Sequence, residues 1–222
     1  MSDRPRLVLA DDHHLVLDSL KPALEPEFEI IGVAATGEAA VEACRQLGPD
    51  ILLLDLSLPD RSGLEVITDL RQEMPAVRVL VVTMHVERVW ADASLQAGAF
   101  GFVPKDAHID ELKTAIREVA AGRRYLSPLV PEPGVRRLPG DLRLGLAKLT
   151  PRQRDILRRL GDGKSTARIA RDFHVKPETV TFHRVRIRKT LGLKTEWDLM
   201  RYALLVRMAD AEAKASAGIR PA

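Results

Sequence analysis

Two short aliphatic runs in the sequence each end at aspartate. Residues 51–54 (ILLL) are followed by Asp55, and residues 7–10 (LVLA) are followed by Asp11 and Asp12. A short apolar run bounded by turn residues is typical of a strand buried on both faces of a parallel sheet, and such sheets bind ligands at the carboxyl ends of their strands. Asp55 alone could simply cap the following helix. The second acidic pair favours instead a site where three carboxylates meet.

Carboxylates that lie close together repel one another unless a cation lies between them. Mg²⁺ suits this position because it takes one or two carboxylates, retains several waters and accepts phosphate oxygens. Aspartate and glutamate side chains also act as covalent acceptors of phosphate. The pattern therefore predicts transfer of a phosphoryl group, assisted by Mg²⁺, to one of the three aspartates.

Two further polar residues follow apolar runs in the same way. Thr83 comes after the run VLVV, and Lys105 comes after FVP. A lysine can neutralise one phosphoryl oxygen, and a threonine hydroxyl can donate a hydrogen bond to another. Phosphoryl transfer depends mainly on positioning and charge neutralisation, which these groups supply. Each residue alone has a structural explanation, as a helix cap or a solvated lysine, so the prediction rests on their joint placement.

The elements that must position these side chains alternate along the first 121 residues. Five strand-like runs are each followed by a helix-like stripe, which indicates an α/β domain with a five-stranded parallel sheet and helices on both faces. The predicted strands cover residues 7–10, 28–34, 51–54, 77–82 and 99–103, and the predicted helices cover residues 13–25, 37–47, 63–73, 87–97 and 109–121. We assign this domain to residues 1–122.

The second half of the chain has a helical pattern throughout residues 149–210. Predicted caps at Thr150, Ser165 and Thr195 mark the starts of three helices, and Pro177 is expected to open a further one. A short helix, a tight turn and a longer basic helix form the helix-turn-helix plan of DNA-binding proteins. The sequence therefore predicts a second, all-α domain of four helices.

Two segments lie outside these domains. Residues 123–148 contain four prolines and little periodicity, which indicates a linker with room for one helical turn at residues 142–146. Residues 211–222 are expected to form a disordered tail.

Charge separates the two halves. Residues 1–122 contain 11 Lys and Arg against 21 Asp and Glu, whereas residues 123–222 contain 23 against 10. An acidic half suits a cation or a basic partner, and a strongly basic half suits nucleic acid. The net charge of +3 and the hydrophobic fraction of 45% are otherwise ordinary for a globular protein.

The single cysteine, Cys44, excludes a disulfide framework and fits a reducing compartment. No apolar run approaches the roughly 18 residues that a membrane span requires, and the N-terminus lacks the apolar core of a signal peptide. We therefore expect a cytoplasmic protein with no membrane partner. His13 and His14 could attract a transition metal, but they are interpreted as the start of the first helix.

Residues 1–122 resemble the receiver domain of two-component response regulators. The resemblance rests on Asp11-Asp12, on Asp55 with Leu58-Pro59 and Gly63 behind it, on Thr83, and on Phe102-Val103-Pro104-Lys105. It implies a flavodoxin-like, doubly wound fold, in agreement with the five predicted strand and helix pairs. It also implies that a sensor histidine kinase phosphorylates Asp55.

The resemblance implies roles for the neighbouring side chains as well. Lys105 is expected to pair with the phosphoryl group. Thr83 and Phe102 are expected to be the switch pair, in which the hydroxyl moves toward the phosphoryl group and the aromatic ring follows inward. It implies that Asp11 or Asp12 holds Mg²⁺ together with Asp55 and the backbone carbonyl of Ser57.

Residues 149–205 resemble the LuxR-type helix-turn-helix. The matching segments are LTPRQRDIL, residues 165–170 and ETVTFHRVRIRKTLG, in the same order and spacing. Together the two halves resemble the NarL/FixJ class of regulators, which implies double-stranded DNA as a target and a homodimer in the phosphorylated or DNA-bound state. The chain departs from this family at Gln153 and Thr181, where glutamate and lysine are frequent.

A helical wheel assigns the faces of the recognition helix. If Val180 and Ile187 point inward, Phe182 and Val185 point outward, where they suit thymine methyl groups in the major groove. Single exposed apolar residues are nevertheless common without such a role. The basic residues suit phosphates, which position a protein without specifying a sequence. The predicted DNA contacts are Glu178, Thr181, Phe182, Arg184, Val185, Arg186, Arg188 and Lys189.

These inferences predict a transcription regulator that is switched by phosphorylation of Asp55, which controls its dimerisation and DNA binding. The alternative is a DNA-binding regulator with a phosphorylation-independent receiver. A haloacid-dehalogenase-type enzyme is disfavoured because that class has a second aspartate two residues after the nucleophile, where this chain has Ser57. We expect no enzymatic activity beyond autodephosphorylation.

Overall fold

A computed structural model describes residues 4–132 and 141–218, with the backbone alone at residues 141–143 and 211–218. The chain divides into two compact units, residues 1–133 and 134–222. No helix in the described part of the chain is both long and apolar enough to cross a membrane.

The first unit is built on a parallel sheet with the strand order β2-β1-β3-β4-β5-β6. The strands are β1 (Arg6–Ala10), β2 (Glu29–Ala34), β3 (Ile51–Leu54), β4 (Arg78–Thr83), β5 (Gly101–Pro104) and β6 (Tyr125–Leu126). All four residues of β3 are buried, as expected for a central strand that is covered on both faces. The predicted α/β class and doubly wound arrangement are confirmed.

Helices form a layer on each face of this sheet. They are α1 (His14–Leu24), α2 (Gly37–Leu47), α3 (Gly63–Glu73), α4 (Arg88–Ala97) and α5 (Ile109–Ala120). Leu17 of α1 and Ile116 of α5 share one core cluster with Leu9 and Leu53 of the sheet. Cys44 of α2 lies in the interior, and burial raises the pKa of its thiol to about 12.

The sheet has six strands, whereas the sequence analysis predicted five, and the missed strand is β6. Gly122 adopts φ +78° after α5, and the chain then returns beside β5, where Tyr125 pairs with Gly101 and Leu126 with Phe102. The predicted linker therefore begins with a strand. Two residues are too few to show a period of alternation, which is why the sequence pattern did not reveal this element.

The second unit is helical throughout its described part. Its helices are α6 (Asp141–Ala147), α7 (Pro151–Gly161), α8 (Thr166–Asp172), α9 (Pro177–Leu191) and α10 (Glu196–Gly218). Helix α6 lies at the helical turn expected within the linker and adds a fifth helix to the four predicted. Helix α10 continues into residues 211–218, which the sequence analysis assigned to a disordered tail.

Local sequence explains where these helices begin and end. Thr150 and Gln153 form a reciprocal capping box at the start of α7, with hydrogen bonds of 3.3 and 2.9 Å between side chain and backbone. Ser165 accepts a hydrogen bond from the Arg168 N–H at the start of α8. Gly192 ends α9 in the left-handed conformation, with φ +69°.

Candidate functional site

Lys105 joins two aspartates at the carboxyl edge of the sheet. Its Nζ atom lies 2.5 Å from Asp11 Oδ2 and 2.7 Å from Asp55 Oδ2. The aspartates are adjacent because β1 and β3 pair in register and the Asp55 N–H donates to the Ala10 carbonyl at 2.8 Å. All three side chains are at least nine-tenths buried. The structure thus brings together the acidic residues and the lysine that the sequence predicted.

The electrostatics of this cluster favour a charged lysine. Burial lowers the pKa of the Lys105 ammonium, but hydrogen bonds to Asp11 and Asp55 and their negative charges offset this effect, so that the pKa is raised. The ammonium group therefore remains protonated and neutralises part of the charge of the two carboxylates.

A third aspartate completes the acidic cluster. Asp12 is more exposed than Asp11, and potential ligand atoms of Asp11, Asp12, His13 and Asp55 all lie within 4.8 Å of one another. Ser57, which was predicted to offer its backbone carbonyl, donates its own N–H to Asp55 Oδ1 at 3.2 Å. Oxygen donors of this kind match the ligand preference of Mg²⁺.

Thr83 and Phe102 lie on the same face of the sheet. Phe102 pairs with Val81, and Thr83 follows Val81 by two residues, so their side chains point to one side. Both residues are fully buried. The Lys105 N–H donates to the Thr83 carbonyl at 2.8 Å, which connects the end of β4 directly to the residue that binds Asp55.

The loop after Asp55 is held by close backbone packing. A Cβ atom at Gly63 would lie 2.7 Å from Leu56 Cα and 2.9 Å from the Asp55 carbonyl oxygen, which is closer than real Cβ contacts. Asp60 in the same loop accepts hydrogen bonds from the Gly37 and Glu38 N–H groups, at 2.7 and 2.9 Å. The loop is therefore tied to α3 and to the start of α2.

Sequence reasoning did not assign a role to His85. Its ring Nε2 atom lies 3.3 Å from Ser57 Oγ, and its backbone N–H donates a hydrogen bond to Thr83 Oγ1 at 3.4 Å. His85 therefore links the loop after β3 to the loop after β4. Ser57 and His85 are 28 residues apart in the chain, and no motif or period signals that they meet.

Helix α9 presents most of its predicted DNA contacts to solvent. Phe182 and Val185 are 54% and 53% exposed. The Arg186 guanidinium lies over the Phe182 ring, 4.9 Å from its centroid. Arg186 is exposed as well, as are Glu178, Thr181 and Lys189, whereas Arg188 is half-buried.

Arg184 does not belong to this exposed set, and its assignment as a DNA contact is corrected. Its guanidinium lies 2.6 to 2.7 Å from Glu196 Oε1 and also contacts the Thr166 hydroxyl. Position 184 follows Val180 by four residues and precedes Ile187 by three, so it shares their inward face. The helical period places residue 184 on the inward face, and this is stronger evidence for its position than its positive charge. Arg184 holds α9 to α8 and α10.

Comparison with known proteins matches both halves of the chain to families. Residues 7–117 match the response regulator receiver domain, and residues 147–203 match the luxR family of bacterial regulatory proteins. The transcriptional regulatory protein MctR of Rhizobium johnstonii is 38% identical over 92% of this chain and 96% of its own length. The chain belongs to the two-component response regulators. The resemblance to the NarL/FixJ class is thereby confirmed.

This response regulator is also similar to the nitrate/nitrite response regulator protein NarL of Escherichia coli, with 32% identity over 85% of this chain and 90% of NarL. A crystal structure of a LuxR-family two-component response regulator from Aurantimonas sp. SI85-9A1 has 35% identity and a TM-score of 0.56, and the match covers 58% of this chain and 93% of that one. RcsB from Salmonella enterica serovar Typhimurium, whose structure was solved bound to promoter DNA, has the same fold, with a TM-score of 0.57. It is 22% identical, and the match covers 92% of this chain and all of RcsB.

The family assignment establishes the broad function of this response regulator. It contains a receiver domain and a LuxR-type DNA-binding domain. The family consists of DNA-binding regulators and not of typical enzymes.

Proposed function

We propose that this response regulator controls transcription and is switched by phosphorylation of Asp55 by a sensor histidine kinase. The observation that carries the proposal is the position of Lys105, whose ammonium group bridges Asp11 and Asp55 at 2.5 and 2.7 Å. A lysine held against the acceptor carboxylate is in reach of a phosphoryl oxygen once the group arrives. The cluster thus has the three parts that phosphoryl transfer needs: an acceptor, a fixed cation and carboxylates for a metal.

The protein side chains have separate tasks in the transfer. One carboxylate oxygen of Asp55 forms a bond to phosphorus while the bond from phosphorus to the donor breaks. Lys105 exchanges its contact with Asp55 Oδ2 for one with a phosphoryl oxygen. The Thr83 hydroxyl donates a hydrogen bond to another phosphoryl oxygen. Positioning and charge neutralisation of this type account for most of the catalysis of phosphoryl transfer.

The proposed metal ligands are Asp11, Asp12, Asp55 and the backbone carbonyl of Ser57. Their donor chemistry fits Mg²⁺, because carboxylate and carbonyl oxygens are its preferred ligands. Lys105 contacts the Oδ2 atoms of Asp11 and Asp55, whereas their Oδ1 atoms accept hydrogen bonds from the His13 and Ser57 N–H groups and retain a further lone pair for a metal ion. When bound, Mg²⁺ supplies positive charge that offsets the charge of the carboxylates and of the transferring group.

The output begins at the face shared by Thr83 and Phe102. Movement of the Thr83 hydroxyl toward the phosphoryl group opens space into which the Phe102 ring turns. This shift favours one of two arrangements of the receiver and controls dimerisation and DNA binding. In the DNA-bound state, the exposed side of α9 enters the major groove, with Phe182 and Val185 toward base edges and Lys189 toward phosphate. A DNA target implies a cytoplasmic protein.

The proposal is tested by phosphorylation in vitro. The full chain is incubated with Mg²⁺ and a small acyl phosphate, and intact mass and DNA binding are measured for the native chain and for Asp55→Asn. Asp18→Asn, which removes an exposed carboxylate of α1, is the matched control. We expect a single added phosphoryl group and tighter DNA binding in the native chain and in Asp18→Asn, and neither in Asp55→Asn.

The alternative is a receiver that never carries phosphate. In that case Asp55→Asn and the native chain bind DNA equally with or without the phosphodonor, and neither gains mass.

In the function that we propose, the receiver accepts a phosphoryl group and does not process a separate substrate. The one catalytic step that we assign to it is hydrolysis of its own aspartyl phosphate.

A further inference from the structure

The His13 side chain faces the acidic cluster. Its Nδ1 atom lies 2.8 Å from Asp12 Oδ1 and 3.2 Å from Asp11 Oδ1. Its backbone N–H donates to the same Asp11 Oδ1 atom at 2.9 Å, which fixes the residue at this edge. His13 therefore presents a ring nitrogen on the side of Asp11 that Lys105 leaves open.

Helix capping does not explain this orientation. His13 is the N-cap residue of α1, but its side chain makes no capping hydrogen bond to that helix. N-cap side chains ordinarily accept a hydrogen bond from one of the first N–H groups of the helix. The ring is directed to the two carboxylates instead.

Without a metal ion, the His13 ring nitrogen contacts Asp11 as a hydrogen-bond partner and Asp12 as an ion-pair partner, and the same separations also suit two ligands of one metal ion. Metal–ligand bonds of 2.0 to 2.2 Å at right angles place neighbouring donor atoms about 3.0 Å apart. The two separations from His13 Nδ1, 2.8 and 3.2 Å, lie on either side of this value. The His13 nitrogen and each of these oxygens can therefore occupy neighbouring corners of an octahedral site, and the ligand atoms of Asp11, Asp12, His13 and Asp55 all lie within 4.8 Å of one another.

We propose that His13 is a nitrogen ligand of the metal site, and that this receiver binds first-row transition-metal dications such as Co²⁺ more tightly than Mg²⁺. The proposal rests on the metal site described under the proposed function and extends it to a ligand outside the proposed oxygen set. Imidazole nitrogen favours transition metals, whereas Mg²⁺ favours oxygen ligands. A receiver with His13 is therefore selective among divalent ions as well as dependent on one.

The test compares Co²⁺ and Mg²⁺ binding to the full chain by calorimetry. His13→Asn removes the imidazole but retains a good N-cap residue, so that α1 is not weakened. His14→Asn is the matched control, because His14 is the exposed neighbour and lies outside the cluster. A ring bound to Co²⁺ through Nδ1 should also give a shifted, exchangeable Nε2–H resonance in the proton NMR spectrum.

We expect His13→Asn to weaken Co²⁺ binding by about tenfold or more and to change Mg²⁺ binding by less than about twofold. The shifted resonance should disappear in His13→Asn and persist in His14→Asn. Unchanged Co²⁺ affinity, equal losses for both ions, or a resonance that survives in His13→Asn would each overturn the assignment. Failure of the phosphorylation experiment instead affects the proposed function, because metal binding is measured without phosphate.

Discussion

The backbone N–H of Ser127 donates to the carbonyl of Phe102 at 3.0 Å. Leu126 pairs with Phe102 in register, and both Ser127 and Val130 are buried in the first unit. The segment that leads out of the receiver domain is therefore bonded to the aromatic residue of the proposed switch. A movement of Phe102 in the proposed switch therefore displaces the residue to which this segment is hydrogen-bonded.

We expect Ser127→Pro to weaken that attachment. Proline has no N–H, so the Phe102 carbonyl loses its partner at a cost of about 1 kcal/mol in the free energy of unfolding. Deuterium exchange of the Tyr125 amide should accelerate, and phosphorylation at Asp55 should proceed with a smaller effect on DNA binding. Ser127→Ala retains the N–H and serves as the control. Native exchange at Tyr125 in the proline variant would contradict the expectation.

Removal of the Lys105 charge should destabilise the receiver when no divalent ion is present. Lys105→Gln leaves Asp11 and Asp55 buried beside each other without a cation, and the loss of one partner of a buried ion pair costs about 3 kcal/mol. Added Mg²⁺ should recover part of this loss, so the melting temperature of the variant should rise more with Mg²⁺ than that of the native chain.

Lys113→Gln is the matched control for this experiment. Lys113 pairs with Glu27 at 3.0 Å, and Glu27 remains in contact with solvent. Removal of such a surface pair should cost less than about 1 kcal/mol and should not depend on Mg²⁺. A native-like melting temperature of Lys105→Gln in EDTA would show that the two aspartates do not need the lysine charge.

Asp60 should make a pH-dependent contribution to stability. Burial raises the pKa of its carboxyl group, but hydrogen bonds from the Glu38 and Gly37 N–H groups outweigh this effect and lower it. Because the pKa of Asp60 is lower in the folded state, its ionised carboxylate stabilises the fold at pH values above the unfolded-state pKa of 3.8. This stabilisation is lost as the pH falls through the folded-state pKa. Asp60→Ala should therefore be less stable than the native chain at pH 7, by under about 1 kcal/mol because the site is exposed.

Urea unfolding of the native chain and Asp60→Ala across the acidic range measures this effect. The difference between them should be constant near neutral pH and should shrink below pH 3.8. A difference that is independent of pH would assign the effect to packing and not to the charge of Asp60.

The sequence predicted those parts of the receiver that have a strong local pattern. Strands β1 and β3 contain continuous aliphatic runs, and the acidic residues that follow them mark the functional edge. Strand β6 was missed because it forms by pairing with the edge of β5, and that edge exists only in the assembled sheet. The contact between Ser57 and His85 is likewise absent from any local pattern, since it joins two loops.

The same distinction applies within α9. The exposed positions followed from the helical period, but Arg184 was assigned by its charge to the wrong face. A buried arginine needs partners that are distant in sequence, here Thr166 and Glu196, and the sequence does not identify them in advance. Charge is a weaker guide than periodicity where an ion pair joins helices.

Arg184→Ala should destabilise the DNA-binding domain. It removes the charged hydrogen bonds to Glu196 and Thr166, which together should contribute about 2 kcal/mol. Arg186→Ala is the control, because Arg186 is exposed on the same helix. Deuterium exchange in α8 and α10 should increase in Arg184→Ala alone. Equal exchange in both variants would mean that Arg184 does not hold these helices together.

Lys189 and Phe182 should affect DNA binding in different ways. Lys189 is exposed near the end of α9, and a lysine that contacts phosphate weakens binding to every sequence when it is removed. Lys189→Ala should therefore reduce affinity for specific and random DNA alike, and should lower the slope of log affinity against log salt by about one. Phe182→Ala should leave the salt slope unchanged.

The effect of Phe182→Ala should appear in sequence preference. A ring that is 54% exposed can contact a thymine methyl group, and its loss should cost about 1 to 3 kcal/mol on the preferred site and little on random DNA. Selection of binding sites from a random pool, followed by titration at several salt concentrations, separates the two variants. Identical losses on specific and random DNA for both would refute the assignment of Phe182 to bases and Lys189 to phosphate.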